Sequence, residues 1–322
     1  MIPYFSIGQY YRAKFGEKMY KLPVSIVDTC PNREGLKGMK QCIFCDEWGS
    51  FAYQDTMTRS LAFQIENHRE KLSKKHGNSK FLVYFQAYTS TFAKISYLRE
   101  CFDEVLKYDF VKGIIIGTRP DCISKSLIEM WHEYSLKTYL AVEFGVQSFF
   151  DERLKWLERG HPALSIYRAI ENIRKVSDFD LGVHLMFGLP GESLAEIIES
   201  AKIINRLPIN SVKLHNLHVL KSTPLEQLYL KGEFKPIELE EYTLKVAEFL
   251  RYLSPSVAVH RLSAVASRWD ELLAPEWTKY HLKTYQHIVE FMNREGFQQG
   301  QKYHLNSRES HLKPFVLPVQ SL

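Results

Sequence analysis

Three thiols fall within one short segment, Cys30–Cys45, which reads CPNREGLKGMKQCIFC. Cys42 and Cys45 form a CxxC pair, and a loop containing Gly, Lys and Asn separates them from Cys30. A CxxC turn lets two sulfurs bind one metal centre, and the loop is long enough to swing the third back. A closed structural zinc site takes four ligands, and an iron–sulfur cluster usually takes four cysteines. Three thiols therefore leave several readings open. One is a zinc site completed by the nearby His68 or His76, another an iron with one position left free, and the plainest is a set of reduced cysteines without metal.

The surrounding chain must position these thiols, and it reads as an alternation. Strand candidates are Leu22–Thr29, Phe81–Gln86, Gly113–Gly117, Thr138–Phe144, Leu181–Phe187 and Val212–Leu217. Helical patterns lie between them, near 59–76, 94–107, 124–134, 162–176 and 193–206. Six apolar, β-branched-rich runs separated by helices predict βαβ units and a parallel sheet. The right-handed connections let such a sheet curl into a full or partial barrel. Active sites in these folds sit at the C-terminal ends of the strands, and Cys30 stands at the end of the first strand candidate.

Alternation along each strand separates the helix-facing outside from the interior. Leu181, Val183, Leu185 and Phe187 share the outer phase, so His184 points inward; by the same logic Lys213 and His215 do too. Glu143 and Gln147 share a phase, as do Tyr84, Gln86 and Tyr88, and Asp28 with Cys30. The deduced interior thus carries Asp28, Gln86, Glu143, Gln147, His184, Lys213 and His215. A purely structural barrel core is branched aliphatic, and buried charge is costly unless paired or used. An internal ion pair such as Glu143 with Lys213 is the structural alternative. A site is the better account of the whole set, and Glu143, His184, Lys213 and His215 are its catalytic candidates.

Polar turns follow the strands: Tyr88–Thr91, Gly117–Asp121, Gly145–Ser148 and Gly188–Glu192. Arg119 can clamp an anion or pair with Asp121, and Arg159 can reach the site or stay solvated. Residues 1–21 read as a lead-in rich in Tyr, Phe, Lys and Arg, 22–220 as the barrel and 221–322 as an extension covering it. In that extension Pro224 starts a helix, Ile237–Leu253 is amphipathic, Val257–Leu262 can add a strand and Pro275–Glu295 forms a last helix, with a loosely ordered polar tail after Gly296. Cys101 and Cys122 read as ordinary thiols.

The chain has 322 residues, 45% of them hydrophobic, enough for one sizeable core. Five cysteines and no apolar leader favour a reducing, cytoplasmic setting over a disulfide scaffold. No stretch is apolar for long enough to span a bilayer, so no membrane partner is expected. A formal charge of +5 is compatible with an RNA partner without requiring one.

With Phe44 before the third cysteine, the cysteine motif resembles that of radical S-adenosylmethionine (SAM) enzymes. The ordered strings YFQAYTSTFA, GTRPD, EFGVQS, ERGH, HLMFGLPGE and KLHNLHVLKSTPLE resemble the branch related to the elongator catalytic subunit and to coproporphyrinogen dehydrogenase. The similarity runs from about Lys21 to Ala266. It implies a partial (β/α)6 TIM-type barrel with a helical C-terminal extension. It also implies a 4Fe–4S cluster held by Cys30, Cys42 and Cys45, with SAM on the remaining iron. Gln86, Tyr88 and Thr89 stand where the family's second-strand motif meets the SAM amino group, here with Gln-Ala-Tyr in place of small glycines. Gln147 and Arg159 match SAM-contacting positions, and His184 stands where the branch often carries a ribose-binding Asp. Phe44 and the fifth-strand motif at Gly188 lie toward the adenine, and Glu143 joins the cofactor-binding set.

The implied chemistry is reductive cleavage of SAM to methionine and a 5′-deoxyadenosyl radical that abstracts hydrogen from a substrate. Electrons come from a donor such as flavodoxin or ferredoxin. Analogy with the elongator relative suggests a tRNA wobble-uridine side chain as substrate, and the other relative suggests a tetrapyrrole. The competing class is a non-enzymatic module with zinc at the thiols and basic stretches such as Lys71–Lys75 on RNA phosphates. No acetyltransferase counterpart and no second cysteine cluster are expected.

Overall fold

The structure is a computed structural model, and it describes residues 2–49, 56–77, 79–266 and 269–303. Most of the polar tail expected after residue 296 lies outside the described residues. Six strands alternate with helices: β1 Met19–Val24, β2 Lys80–Phe85, β3 Val111–Thr118, β4 Tyr139–Gln147, β5 Asp180–Phe187 and β6 Ser211–Asn216. The intervening helices are α2 Leu61–His76, α3 Ile95–Val105, α4 Lys125–Ser135, α5 Asp151–Trp156, α6 Leu164–Arg174 and α7 Leu194–Arg206. All six strands pair in parallel in chain order, and the short β8, Ala258–Val259, adds a seventh beside β6. This is the partial (β/α)6 TIM-type barrel with C-terminal helices that the motifs imply.

Strand phase sorts the side chains as the alternation requires. Phe81, Val83 and Phe85, Ile114 and Ile116, and Leu181, Val183 and Leu185 face the helices in one continuous apolar core. Leu82, Tyr84, Ile115 and Ala141 face the interior and form a separate layer.

The first strand differs from expectation: it spans Met19–Val24 instead of Leu22–Thr29. Gln64 of α2 takes over the next backbone groups, accepting from Ser25 N at 2.8 Å and donating to Ser25 O at 2.9 Å, so the chain leaves the sheet there. Pro23 is tolerated because β1 lies on the sheet edge. Asp28 therefore stands exposed in a loop and not in the barrel interior.

The lead-in is also more than a connector. It folds into α1, Ile7–Phe15, started by a Ser6/Gln9 capping box. Tyr11 of α1 packs on the interior layer, and the hydroxyls of Tyr10 and Tyr139 donate to Asp180 at 2.7 and 2.8 Å. The N-terminal mouth of the barrel is thereby plugged. Just before α1 the chain lies along β8, with Val259 N donating to Phe5 O at 2.8 Å. Phe5 N donates to Gln299 Oε1 at 2.8 Å, and Gln299 N donates to Pro3 O at 2.9 Å.

In the C-terminal part, α8 Pro224–Leu230 and α9 Leu239–Tyr252 precede β8, and α10 His281–Arg294 follows a 3₁₀ turn. The strand expected over 257–262 is only two residues long, paired with Ser211 and Val212, although Leu214 N still donates to Arg261 O at 3.2 Å. β7 Val219–Leu220 pairs with β9 Leu272–Ala274 in a separate two-stranded sheet. Lys245 of α9 ties this part to the barrel, its Nζ 2.9 Å from the Glu192 carbonyl oxygen and 3.4 Å from its carboxylate.

Candidate functional site

The cysteine loop leaves the end of β1 and folds over the C-terminal mouth of the barrel. Asn32 pins it, donating from Nδ2 to Lys40 O at 2.6 Å and to Glu158 O at 2.7 Å. Asn32 Oδ1 accepts from Arg119, which also pairs with Asp121 at 2.9 Å and donates to Arg159 O at 2.6 Å. Arg119 thus satisfies its alternative reading, as a structural clamp between three loops. Arg33 donates to the Asp46 carbonyl and lies over the Tyr88 ring at 5.3 Å.

Cys30, Cys42 and Cys45 line one cavity of about 520 Å³. Arg159 sits behind them, donating from Nη1 to Cys42 Sγ at 3.4 Å and from Nη2 to Gly145 O at 2.7 Å. An added Cβ at Gly145 would crowd Gln147 Nε2 at 3.1 Å, while it would meet Arg159 Nη2 only at an ordinary contact distance of 3.5 Å. Burial pushes the Cys45 thiol up to about 12, with Cys42 and Asp46 adding to the effect. A soft cation that coordinates thiolate reverses that preference. Gln147 Oε1 and Arg159 Nε are buried without a hydrogen-bond partner. Three thiols and orphaned polar atoms around one open volume suit a sulfur-ligated cluster together with a polar small molecule.

The two histidines considered as zinc ligands are engaged elsewhere. His68 is buried, with its ring nitrogens 2.6 Å from Pro23 O and 2.8 Å from Thr56 Oγ1. His76 stacks on Tyr20 with ring centroids 4.1 Å apart. Among the described residues no three His, Cys, Asp or Glu side chains converge tightly enough for a single ion.

Gln86, Tyr88 and Thr89 line the same cavity, as do Phe44, Gln147 and Arg159. Gly188 does not line it: its Cα faces Ile237, whose Cγ2 an added Cβ would meet at 2.7 Å. The glycine serves close packing, and its N–H donates to Glu192 Oε2 at 2.8 Å.

At the deep end stand Glu143, His184, Lys213 and His215. Glu143 is buried and works as a hub: Oε1 accepts from Lys21, and Oε2 lies 2.8 Å from His184 Nε2 and 4.0 Å from Lys213 Nζ. His260 Nε2 lies 3.7 Å from Oε1. Burial raises the Glu143 carboxyl, but Lys21, His260, His184 and Lys213 outweigh it and hold it well below the usual range. Burial, aided by Arg261, drives the Lys213 ammonium down. Lys21, His260 and Arg261 were not picked out from the sequence, although alternation in MYKLPV and VAVHRL puts Lys21 and His260 opposite the outward Leu22, Val24, Val257 and Val259.

Burial lowers His184, His161 and His218 to about 4, assisted by Lys213, Arg159 and Arg261 respectively. Each is neutral when folded yet takes a proton near 6.5 when unfolded, so the stability it contributes is full above pH 6.5 and lost as pH falls through 4. The loss is at most about 3 kcal/mol per residue. The melting temperature is expected to fall steadily from pH 6.5 to 4; a flat profile across that window would refute this.

A model of the radical SAM superfamily matches residues 24–204, and a radical SAM C-terminal domain model matches 209–294. An uncharacterised protein of Methanocaldococcus jannaschii is 37% identical over 92% of this chain and 91% of its own length. Protein YhcC of Escherichia coli is 32% identical over 88% of this chain and 91% of its own. The tRNA uridine(34) acetyltransferase of Methanocaldococcus infernus is 32% identical over 44% of this chain and 26% of its own length. In structure, the Elp3 protein of that organism superposes with a TM-score of 0.66 at 19% identity, covering 87% of this chain and 64% of the other.

Proposed function

The chain belongs to the radical SAM superfamily, an enzyme family whose cofactors are a 4Fe–4S cluster and SAM, and from that premise we propose that it cleaves SAM reductively and removes hydrogen from a substrate bound in the 520 Å³ cavity. Residues 22–220 would form the catalytic barrel and 221–322 its cover. The carrying observation is that all three thiols of the short segment open onto a single cavity whose deep end is polar. Family membership sets aside the non-enzymatic zinc reading. Among the described residues no helix is long and apolar enough to cross a membrane, and we place the enzyme in the cytoplasm.

Cys30, Cys42 and Cys45 would hold the cluster, which supplies the electron that breaks the sulfonium bond when SAM is bound. Arg159 would tune it through the N–H···S contact to Cys42, since hydrogen bonds to cluster sulfurs shift the reduction potential. Gln147 Oε1 is placed to accept from an amino or hydroxyl group. Tyr88, its hydroxyl tied to the Glu47 carbonyl, would wall the cluster end against water. His184, held by Glu143, presents a neutral imidazole to the cavity.

A tRNA wobble-uridine side chain is the substrate we favour; the partial match to a tRNA uridine(34) acetyltransferase and the basic charge support it. A flavodoxin or ferredoxin would deliver the electron. The test has two arms. Anaerobically reconstituted protein with dithionite should convert SAM to 5′-deoxyadenosine and methionine; an intact cluster without cleavage would overturn the reading. Mass spectrometry of tRNA nucleosides from a deletion strain should show one altered uridine, and an unchanged profile removes tRNA as substrate.

A further inference from the structure

The deep end of the cavity carries more positive charge than its own acid can neutralise. Glu143 is the one carboxylate there among the described lining residues; Asp46 belongs to the cysteine end. Both Glu143 oxygens are already engaged, Oε1 by Lys21 and Oε2 by His184. Lys213 remains 4.0 Å away, its Nζ otherwise 3.4 Å from the Tyr84 hydroxyl and 5.0 Å from that ring centroid. Arg261 has no acidic partner within ion-pair distance among the described residues. Its Nη2 rests on His215 Nδ1 at 2.8 Å, and its Nε is buried without any partner. Two lining basic side chains thus face a single, already engaged carboxylate, and an arriving anion would favour the ammonium form of Lys213 that burial alone disfavours.

Uncompensated buried charge is destabilising, and a local rule broken inside a cavity marks a functional feature. A guanidinium with free N–H groups beside an ammonium matches planar or tetrahedral oxyanions. His215, kept neutral by burial and by Arg261, adds no charge of its own.

We propose that Arg261 and Lys213 bind an anionic oxygen group of the substrate, a carboxylate or a phosphate, at the floor of the cavity. The inference rests on the reading above for which molecule reacts there, but the anion site itself is defined by these side chains. A substrate anchored in this way would point the carbon next to its anionic group toward the cysteine end.

The test uses cluster-loaded protein, with and without saturating SAM, at matched ionic strength in chloride. Inorganic phosphate, acetate and neutral acetamide are titrated, read by calorimetry and by melting temperature. Phosphate or acetate should bind and raise the melting temperature while acetamide does neither, and the preferred anion distinguishes the phosphate from the carboxylate source. Arg261→Met and Lys213→Met should each weaken anion binding at least about tenfold, the loss of one charged hydrogen-bonding partner. The anion-free Arg261→Met variant should melt at or above the wild-type temperature, because it loses a buried charge that has no acidic partner within ion-pair distance. The proposal is overturned if neither anion binds, if the variants bind as well as wild type, or if Arg261→Met melts lower, which would make that guanidinium structural. SAM cleavage is scored separately: anion binding without cleavage leaves this inference standing and removes the previous one, and the converse outcome does the reverse.

Discussion

Cys42→Ala protein, purified without oxygen, is expected to hold only residual iron and to form 5′-deoxyadenosine at least about 1000-fold more slowly, a barrier increase of about 4 kcal/mol. The reasoning is geometric. Cys42 faces the cavity with Cys30 and Cys45, and Arg159 donates to its sulfur at 3.4 Å. A cluster with one iron reserved for SAM has no spare cysteine to replace a lost one. Cys101→Ala and Cys122→Ala are the controls. Cys101 is packed in the helix-facing core and Cys122 lies in the turn after β3, so both variants should retain iron and activity. Equal loss in a control variant and in Cys42→Ala would dissolve the special standing of the three-thiol segment.

Glu143→Gln should destabilise the fold by about 3–5 kcal/mol, the cost of leaving buried cations without their counter-charge. Lys21 loses its ion pair, His184 its 2.8 Å partner and Lys213 its nearest anion. For a chain of this size the melting temperature should drop by roughly 4–7 °C. Replacing both partners, Lys21→Met with Glu143→Met, should recover part of the loss, because the pair then leaves together. A Glu143→Gln protein that melts within about 2 °C of wild type would show that the carboxylate is not the hub.

The barrel was legible because its strands are buried on both faces and rich in β-branched residues, while alternation marked His184, Lys213 and His215 as inward. The errors have local causes. Asp28 was read as interior because apolar residues continue past Val24, yet the Gln64 side chain captures the backbone at Ser25 and ends the strand. The fifth-strand motif likewise gives no sign that Gly188 packs under Ile237, a contact from more than forty residues downstream. Lys21, His260 and Arg261 escaped notice because they sit where the βα rhythm fades. Lys21 lies at the edge of the lead-in, His260 falls near the end of the isolated run VAVHRL, and Arg261 stands in the outward phase of that run. Asn32 gave no signal at all, since its role is to join the cysteine loop to Glu158 across 126 positions of sequence.

The stitching of residues 3–6 to Val259 and Gln299 has a consequence for biogenesis. Pairing partners 294 positions apart cannot meet until the chain has been made through Gln299. Residues 3–6 must wait for that distant segment, a delay that grows with loop-closure entropy. Until then the lower rim of the nascent sheet and the aromatic face of α1 stand uncovered, and in that interval a chaperone has the most to shield.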